Sequence, residues 1–198
     1  MRVIAGRAGG VRLVSPKRGV RPTMDRVKAA IFSSLGEMVI GARVLDLFAG
    51  TGALGIEALS RGAESALFVD QDRQSIAAVE NNLAKTKLSG RVRNTDVFRF
   101  LKNATNSGEK FRIIFADPPY EQMKSGERFT DSLLTNPNLP ELLEPNGLFV
   151  LEKRPDDQIL EMKRWTLLRQ KKYGATEVLF LSDIRKCQSG SDPLSAIE

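Results

Sequence analysis

The run Ala42-Arg43-Val44-Leu45-Asp46-Leu47, closed by the glycine turn Ala49-Gly50-Thr51-Gly52 and followed by Leu54-Gly55-Ile56-Glu57-Ala58-Leu59, constrains the fold more than any other stretch. A short, almost wholly apolar run reads as a strand covered on both faces, and the glycines let the backbone turn sharply into a helix that stops near Gly62. The same unit then repeats. Ser65-Ala66-Leu67-Phe68-Val69 reads as a second strand, followed by a helix with Ile76, Val79 and Leu83 on its buried side. Arg91 to Thr95 is a short third strand, Phe98 to Asn103 a helix, and Phe111 to Ala116 the fourth strand. Phe129, Leu133 and Leu134 suggest one more helix, and Gly147 to Glu152 a fifth strand. Upstream, Thr23 can cap a helix with Asp25 in its first turn and Val27, Ile31 and Leu35 on one face. Strands alternating with helices predict an α/β chain with a doubly wound, mostly parallel sheet. Trp165–Lys172 and Thr176–Leu181, joined through Tyr173-Gly174-Ala175, break the rhythm and predict a hairpin that brings in an antiparallel strand.

A chain of 198 residues with 41% hydrophobic content is long enough for one substantial core. No segment approaches the roughly 20 apolar residues of a membrane-spanning helix, which predicts a cytoplasmic protein. The single cysteine, Cys187, lies in a polar tail, so no intramolecular disulfide can form. There is no histidine. Histidine-based acid/base catalysis and Ser-His-Asp triads are therefore excluded, and a conventional zinc site, which draws mainly on Cys and His, is not expected. Any reaction here has to run on positioning and electrostatics.

The formal charge of +6 is concentrated at one end. Arg2, Arg7, Arg12, Lys17, Arg18 and Arg21 stand in the first 22 residues without one acid, and the remaining 24 basic residues match the 24 acidic ones. Mixed with Gly6, Gly9, Gly10 and Gly19 and with Val3, Ile4, Val11, Leu13 and Val14, they suggest a basic hairpin or extended arm that follows phosphates. A solvated basic tail is the competing reading. The organisation predicted is a basic arm over 1–22, a single α/β domain over 23–182 and a mobile tail over 183–198.

Asp117-Pro118-Pro119-Tyr120 ends the fourth strand. Proline fixes its own φ and pushes the preceding residue into extended geometry, so a carboxylate, a rigid carbonyl and an aromatic face gather at the rim of the sheet. That equipment suits a planar amine such as a nucleobase amino group.

Gly50-Thr51-Gly52-Ala53-Leu54-Gly55 matches the G-x-G-x-x-G dinucleotide fingerprint, and Asp70 follows the second strand, where it can accept hydrogen bonds from ribose hydroxyls. Asp72 competes for that role or caps the next helix. A pyrophosphate at a helix N-terminus is poorly served by a carboxylate, yet Asp46 precedes the glycines. An acid there favours a cationic ligand, and S-adenosylmethionine fits better than NAD.

Asp46-Leu47-Phe48-Ala49-Gly50-Thr51-Gly52 with Asp117-Pro118-Pro119-Tyr120 resembles the class I S-adenosylmethionine-dependent methyltransferases that modify exocyclic amino groups of bases. Arg21-Pro22-Thr23-Met24-Asp25-Arg26-Val27, the basic Arg2 to Gly6 segment, Leu54 to Gly62 and the late Tyr173-Gly174 narrow the resemblance to the RsmD family of 16S ribosomal RNA guanine-N(2)-methyltransferases, over roughly residues 1 to 182. The resemblance implies a Rossmann-like, seven-stranded sheet. It implies that Asp46, Phe48, Gly50 and Gly52 lie beside the methionine part of the cofactor, that Asp70 holds the ribose, and that Asp96 and Val97 meet the adenine. Asp117, Pro118, Pro119 and Tyr120 would form the base site. Arg2, Arg7, Arg12, Lys17, Arg18, Arg21 and Arg26 would contact RNA, with no metal involved. The implied partner is 16S rRNA in the small subunit or an assembly intermediate, met by a monomer. Methylation of another amine, such as adenine N6 in RNA or DNA, a non-catalytic RNA-binding assembly factor and an NAD-dependent reductase are the alternatives. Asp96 after a short strand is also ordinary turn chemistry.

Overall fold

A computed structural model describes residues 1–15, 22–119, 128–157, 159 and 162–186. Lys17, Arg18, Arg21, Tyr120, Cys187 and the tail from 187 onward lie outside the described residues.

The sequence rhythm is realised as a three-layer α/β sandwich. Helix α1 (Pro22–Leu35) opens at a proline, one residue ahead of the cap expected at Thr23, because the ring's fixed φ suits the first helical turn. Then follow β1 (Arg43–Leu47), α2 (Ala53–Ser60), β2 (Ser65–Asp70), α3 (Arg73–Thr86), β3 (Arg91–Asn94), α4 (Val97–Ala104), β4 (Phe111–Ala116), α5 (Phe129–Leu134), β5 (Leu143–Lys153), β6 (Trp165–Tyr173) and β7 (Thr176–Asp183). Among the described residues the strands form one seven-stranded sheet in the order β3-β2-β1-β4-β5-β7-β6. Strands β1 to β5 run parallel, whereas β7 pairs antiparallel with both β5 and β6. The expected hairpin is present, with its second strand inserted beside β5 and its first at the edge. A dinucleotide-binding sheet in the order 3-2-1-4-5-6 has no such reversed strand.

The chain leaves β1 toward β2 and β3, and later returns to β4 on the other side of β1. This reversal opens a crevice at the carboxyl ends of β1 and β4, the place where ligands bind in open α/β sheets. The strands' alternate side chains build two cores. One unites Val44, Phe68, Phe115 and Val150 with α1, α2 and α3. The other unites Leu45, Leu47, Ile114 and Leu151 with α4, α5 and Trp165.

Four local differences from the sequence reading have physical causes. Ile76, expected in the core, is half-exposed, because α3 turns Ala78, Val79, Asn82 and Leu83 inward instead. Strand β5 begins at Leu143, four residues before the expected Gly147, with a register irregularity opposite Phe111 and Ile113. The first residues assigned to the tail are held: Asp183 is buried against Arg164 at 2.8 Å, and the Lys186 ammonium donates to the carbonyls of Pro140 (2.8 Å) and Leu143 (2.8 Å).

The N-terminal segment is the fourth. It forms a hairpin-like turn with a single antiparallel bridge, Arg2 opposite Arg12, and its backbone docks on α2. Val3, Ala8 and Leu13 are buried. The Ser60 hydroxyl donates to the Ala5 carbonyl (2.6 Å) and accepts from the Ala8 amide (2.9 Å), while the Arg7 amide donates to the Ser60 carbonyl (2.8 Å). Gly6 sits at φ +81°, and a Cβ there would stand 1.9 Å from the Ser60 oxygen, so only glycine permits the approach. Covered by this segment on one side and the sheet on the other, α2 buries every residue from Leu54 to Ser60. A charge run indicated an arm; its buried valine, alanine and leucine make it part of the body.

Candidate active site

The side-chain alternation of a strand places Asp46, Asp70 and Glu152 on the face that carries Val44, Phe68 and Val150. Asp117 follows Phe115 on the same face. Four adjacent strands, β2, β1, β4 and β5, thus each deliver one carboxyl group to the crevice. The sequence reading found three of them. It passed over Glu152, although an acid at the end of a buried parallel strand is the signal that singled out Asp46 and Asp117.

Asp46 is 2% exposed, and the Gly55 amide donates to its Oδ2 at 2.9 Å. Burial pushes its carboxyl up from an ordinary 3.8 to about 8; the Gly55 bond acts in the opposite sense, and Asp117 and Asp70 add to the rise. Burial likewise pushes Asp117 up to about 6, and burial, with Asp117 and Asp46 nearby, holds Glu152 well above the usual carboxylate range. No cation within the described residues offsets these three groups. A cationic ligand would, and a pyrophosphate would aggravate the repulsion. The donor set therefore fits S-adenosylmethionine.

The glycine turn completes the cradle. Gly50 and Gly52 have φ of +55° and +74°, the left-handed region, and a Cβ on Gly50 would meet almost nothing, which leaves its face open to a ligand. Gly55 has a different reason: a Cβ there would come within 2.3 Å of the Phe68 ring, so glycine lets α2 lie directly on β2 and brings its amide to Asp46. Asp70 accepts from the Gly50 amide (2.8 Å) and the Asp72 amide (2.9 Å), tying β2 to the turn. Asp72 caps α3 through the Gln74 amide (3.1 Å), the helix-cap role that the sequence allowed for it. Asp96 caps α4 through the Arg99 amide at 2.9 Å, and Val97 turns into the core, 2% exposed. The turn chemistry anticipated for Asp96 is therefore present.

Phe48 adopts φ +56°, unusual for a bulky residue. Its ring packs edge-on against Phe98 (6.4 Å) and Phe129 (5.6 Å), which stack on each other (6.2 Å). These half-buried rings follow the carboxyl end of β1, with Phe48 and Phe98 packed against the second core. The sequence marked Phe129 only as a helix residue; its contact with Phe48 and Phe98 depends on how α5 packs. Pro118 is buried and Pro119 exposed; Arg2, Arg7, Arg12 and Arg26 are exposed. Among the described residues no group of His, Cys, Asp and Glu side chains is arranged to hold a metal ion.

A raised carboxyl pKa links stability to pH. Between about pH 4 and 8 the native state keeps a proton on Asp46 that the unfolded chain has lost, so stability falls as pH rises through that window. Asp46→Asn, in ligand-free protein, should remove this slope and at pH 8 stabilise by at least about 1 kcal/mol, one pKa unit being about 1.4 kcal/mol. Denaturant melts across pH 4 to 9 check it; parallel pH profiles for the two proteins would refute the assignment.

A reversed strand beside β5, a glycine turn at the switch point and uncompensated acids around it define a class I methyltransferase. The family described as Conserved hypothetical protein 95 matches residues 1–182 of the chain. YlbH of Bacillus subtilis is 40% identical over 182 residues, 90% of this chain and 96% of its own. The Ribosomal RNA small subunit methyltransferase D of Haemophilus influenzae is 36% identical, with 88% and 89% covered. The solved structure of the Thermus thermophilus 16S rRNA N2 G1207 methyltransferase (RsmC), in complex with AdoMet and guanosine, superposes with a TM-score of 0.66 at 25% identity, over 85% of this chain and 44% of that one. The chain belongs to the RsmD family of methyltransferases.

Proposed function

We propose that this protein transfers a methyl group from S-adenosylmethionine to the 2-amino group of a guanine in 16S ribosomal RNA. The observation that carries the reading is the pairing, at the switch point, of an Asp117 carboxyl that has no hydrogen-bond partner among the described residues with the cation-seeking Asp46 on the adjacent strand: Leu47 lies in register with Ala116, so Asp117 emerges beside the glycine turn.

When bound, S-adenosylmethionine supplies an electrophilic methyl group on a positively charged sulfur. Asp46, Gly50 and Gly52, with Phe48 behind them, would hold its methionine part, Asp70 the ribose, and Asp96 with the Val97 backbone the adenine. Asp117 and the Pro118 carbonyl accept the two N–H bonds of the guanine amino group. That nitrogen is a poor nucleophile because its lone pair is conjugated with the ring, and it becomes tetrahedral and partly positive as it reacts. Acceptors fixed where that charge develops stabilise the transition state more than the ground state. Pro119 keeps the turn rigid, and Tyr120 would stack on the base to fix the angle of attack. Asp117, with its pKa of about 6, then takes the proton that the methylated nitrogen sheds.

The N-terminal hairpin supports RNA as substrate. Arg2 and Arg12 stand directly opposite each other, a like-charge pair that costs stability unless an anion lies across it. Arg7 and Arg26 extend the exposed basic surface, and Lys17, Arg18 and Arg21 would continue it. Replacing Arg2, Arg7 and Arg12 by Gln should flatten the salt dependence of RNA binding by roughly 2 log units per decade, about 0.7 for each lost single-strand phosphate contact. An unchanged slope returns the segment to a purely structural role. The setting would be the small subunit or an assembly intermediate in the cytoplasm, approached by a monomer. Among the described residues no helix is long and apolar enough to cross a membrane.

Mass spectrometry of nucleosides from 16S rRNA of a strain lacking the protein should show loss of one N2-methylguanosine, restored by the wild-type gene. Intact N2-methylguanosine with loss of N6-methyladenosine would transfer the reading to adenine.

A further inference from the structure

Glu152, the penultimate residue of β5, stands in the position beside Asp117. Leu151 pairs with Ala116 in parallel register, so the next residues of the two strands emerge side by side, about 4.8 Å apart. Both extend the face that carries Phe115 and Val150, and both lie close enough to Asp46 to feel its charge. Among the described residues no hydrogen bond or ion pair reaches the carboxyl of either. Its strand neighbour, Lys153, is already engaged by Glu177 at 2.7 Å and by two backbone carbonyls.

We propose that Glu152 reads the N1–H and O6 groups of the target guanine, next to the 2-amino group held by Asp117 and Pro118. The inference rests on the guanine reading above. Guanine presents along one edge an amino donor, an N1–H donor and the O6 acceptor. Adenine presents only an amino donor beside an N1 acceptor. Asp117 and the Pro118 carbonyl account for the two amino hydrogens, and the adjacent strand supplies the next group along that edge. Burial and the neighbouring acids favour the protonated form of Glu152. A neutral carboxyl offers its carbonyl oxygen to N1–H and its hydroxyl to O6, a pattern that adenine cannot match. The base would thereby be recognised by side chains from β4 and β5 together, and the Asp117 to Tyr120 motif, which serves several amines, would gain its selectivity from outside itself.

The experiment compares an RNA carrying guanine at the target with one carrying 2-aminopurine, which keeps the 2-amino group and lacks both N1–H and O6. Single-turnover rates are measured with wild type, Glu152→Leu and Glu152→Gln. Glu152→Leu should slow guanine methylation at least about 30-fold, as expected when a site built around a hydrogen-bonded pair loses its partner, and change 2-aminopurine by less than about threefold. Glu152→Gln, whose amide reproduces the donor and acceptor of a neutral carboxyl, should stay within about fivefold of wild type on guanine. S-adenosylhomocysteine affinity, read by calorimetry, should hold in both variants. Equal losses on the two bases, or a loss confined to S-adenosylhomocysteine affinity, would overturn the role assigned to Glu152 and leave the guanine reading intact. A wild-type enzyme that leaves the guanine 2-amino group unmodified would instead overturn the base assignment, and this inference with it.

Discussion

Asp117→Ala should lower single-turnover methylation by about 100- to 1,000-fold, the range observed when a well-placed group that stabilises transition-state charge is removed. Binding of S-adenosylhomocysteine should stay within about threefold of wild type, the change expected when a group acts on the reacting amine and not on the cofactor. Removal of Asp117 also makes the Asp46 anion easier to form, because Asp117 is one of the charges that push the Asp46 carboxyl upward. This split between chemistry and binding is what separates Asp117 from Asp46. Asp117→Asn retains one acceptor oxygen and should recover part of the rate. Unaltered turnover in Asp117→Ala would remove the residue from the mechanism, and a parallel collapse of cofactor affinity would move it to the cofactor site.

The largest structural effect should come from Glu57→Ala. Glu57 is fully buried on α2, and its two carboxyl oxygens hold four partners: the Ile4 amide (2.7 Å), the Ala5 amide (3.0 Å), the Lys28 ammonium (3.1 Å) and the Arg61 guanidinium (2.8 Å). Lys28 is itself buried, with its pKa lowered by desolvation against the pull of Glu57, and it also donates to the Arg2 carbonyl at 2.6 Å. Deleting the carboxylate leaves a buried ammonium and two backbone amides unpaired, a loss of about 3–5 kcal/mol. In a chain of this size that corresponds to a fall in Tm of roughly 10 °C. The N-terminal segment should become the first site of proteolytic cutting, which ties the defect to the α2 contact and not to the core at large. A Glu57→Leu, Lys28→Met double variant should regain much of the stability, because replacing both charges removes the uncompensated one. A shift below about 1 kcal/mol in Glu57→Ala would mean that the segment is held mainly by its apolar contacts.

These two residues show how unevenly the site could be read from the chain. Asp117 was legible because local grammar surrounds it: an apolar strand, then an acid, then two prolines that restrict the backbone whatever the rest of the molecule does. Asp46 and the glycines were legible for the same reason. Glu57 was not, since an acid within a helix predicts a solvated face, and only the docking of residues 1–13 turns that face inward. Glu152 stood as the last residue of the expected fifth strand and was read only as part of it, because its meaning depends on which strand lies next to β5. Ile76 was assigned to the core on helical spacing alone; the roll of α3 about its axis, set by Val79 and Asn82 against the sheet and the N-terminal segment, places it at the margin.

By itself, the order of apolar runs, turns and prolines determined the α/β class, the existence of nearly every strand and helix and the two ends of the crevice, and composition alone excluded histidine-based chemistry. These are properties of short stretches, governed by backbone restriction and side-chain periodicity within a few residues. Only the tertiary structure decided that β7 enters beside β5, that the basic segment is anchored on α2, and that four carboxyls from four strands face one another across the crevice. Those outcomes depend on strand register and on desolvation shared between distant residues, and neither quantity is written in any local stretch of the chain.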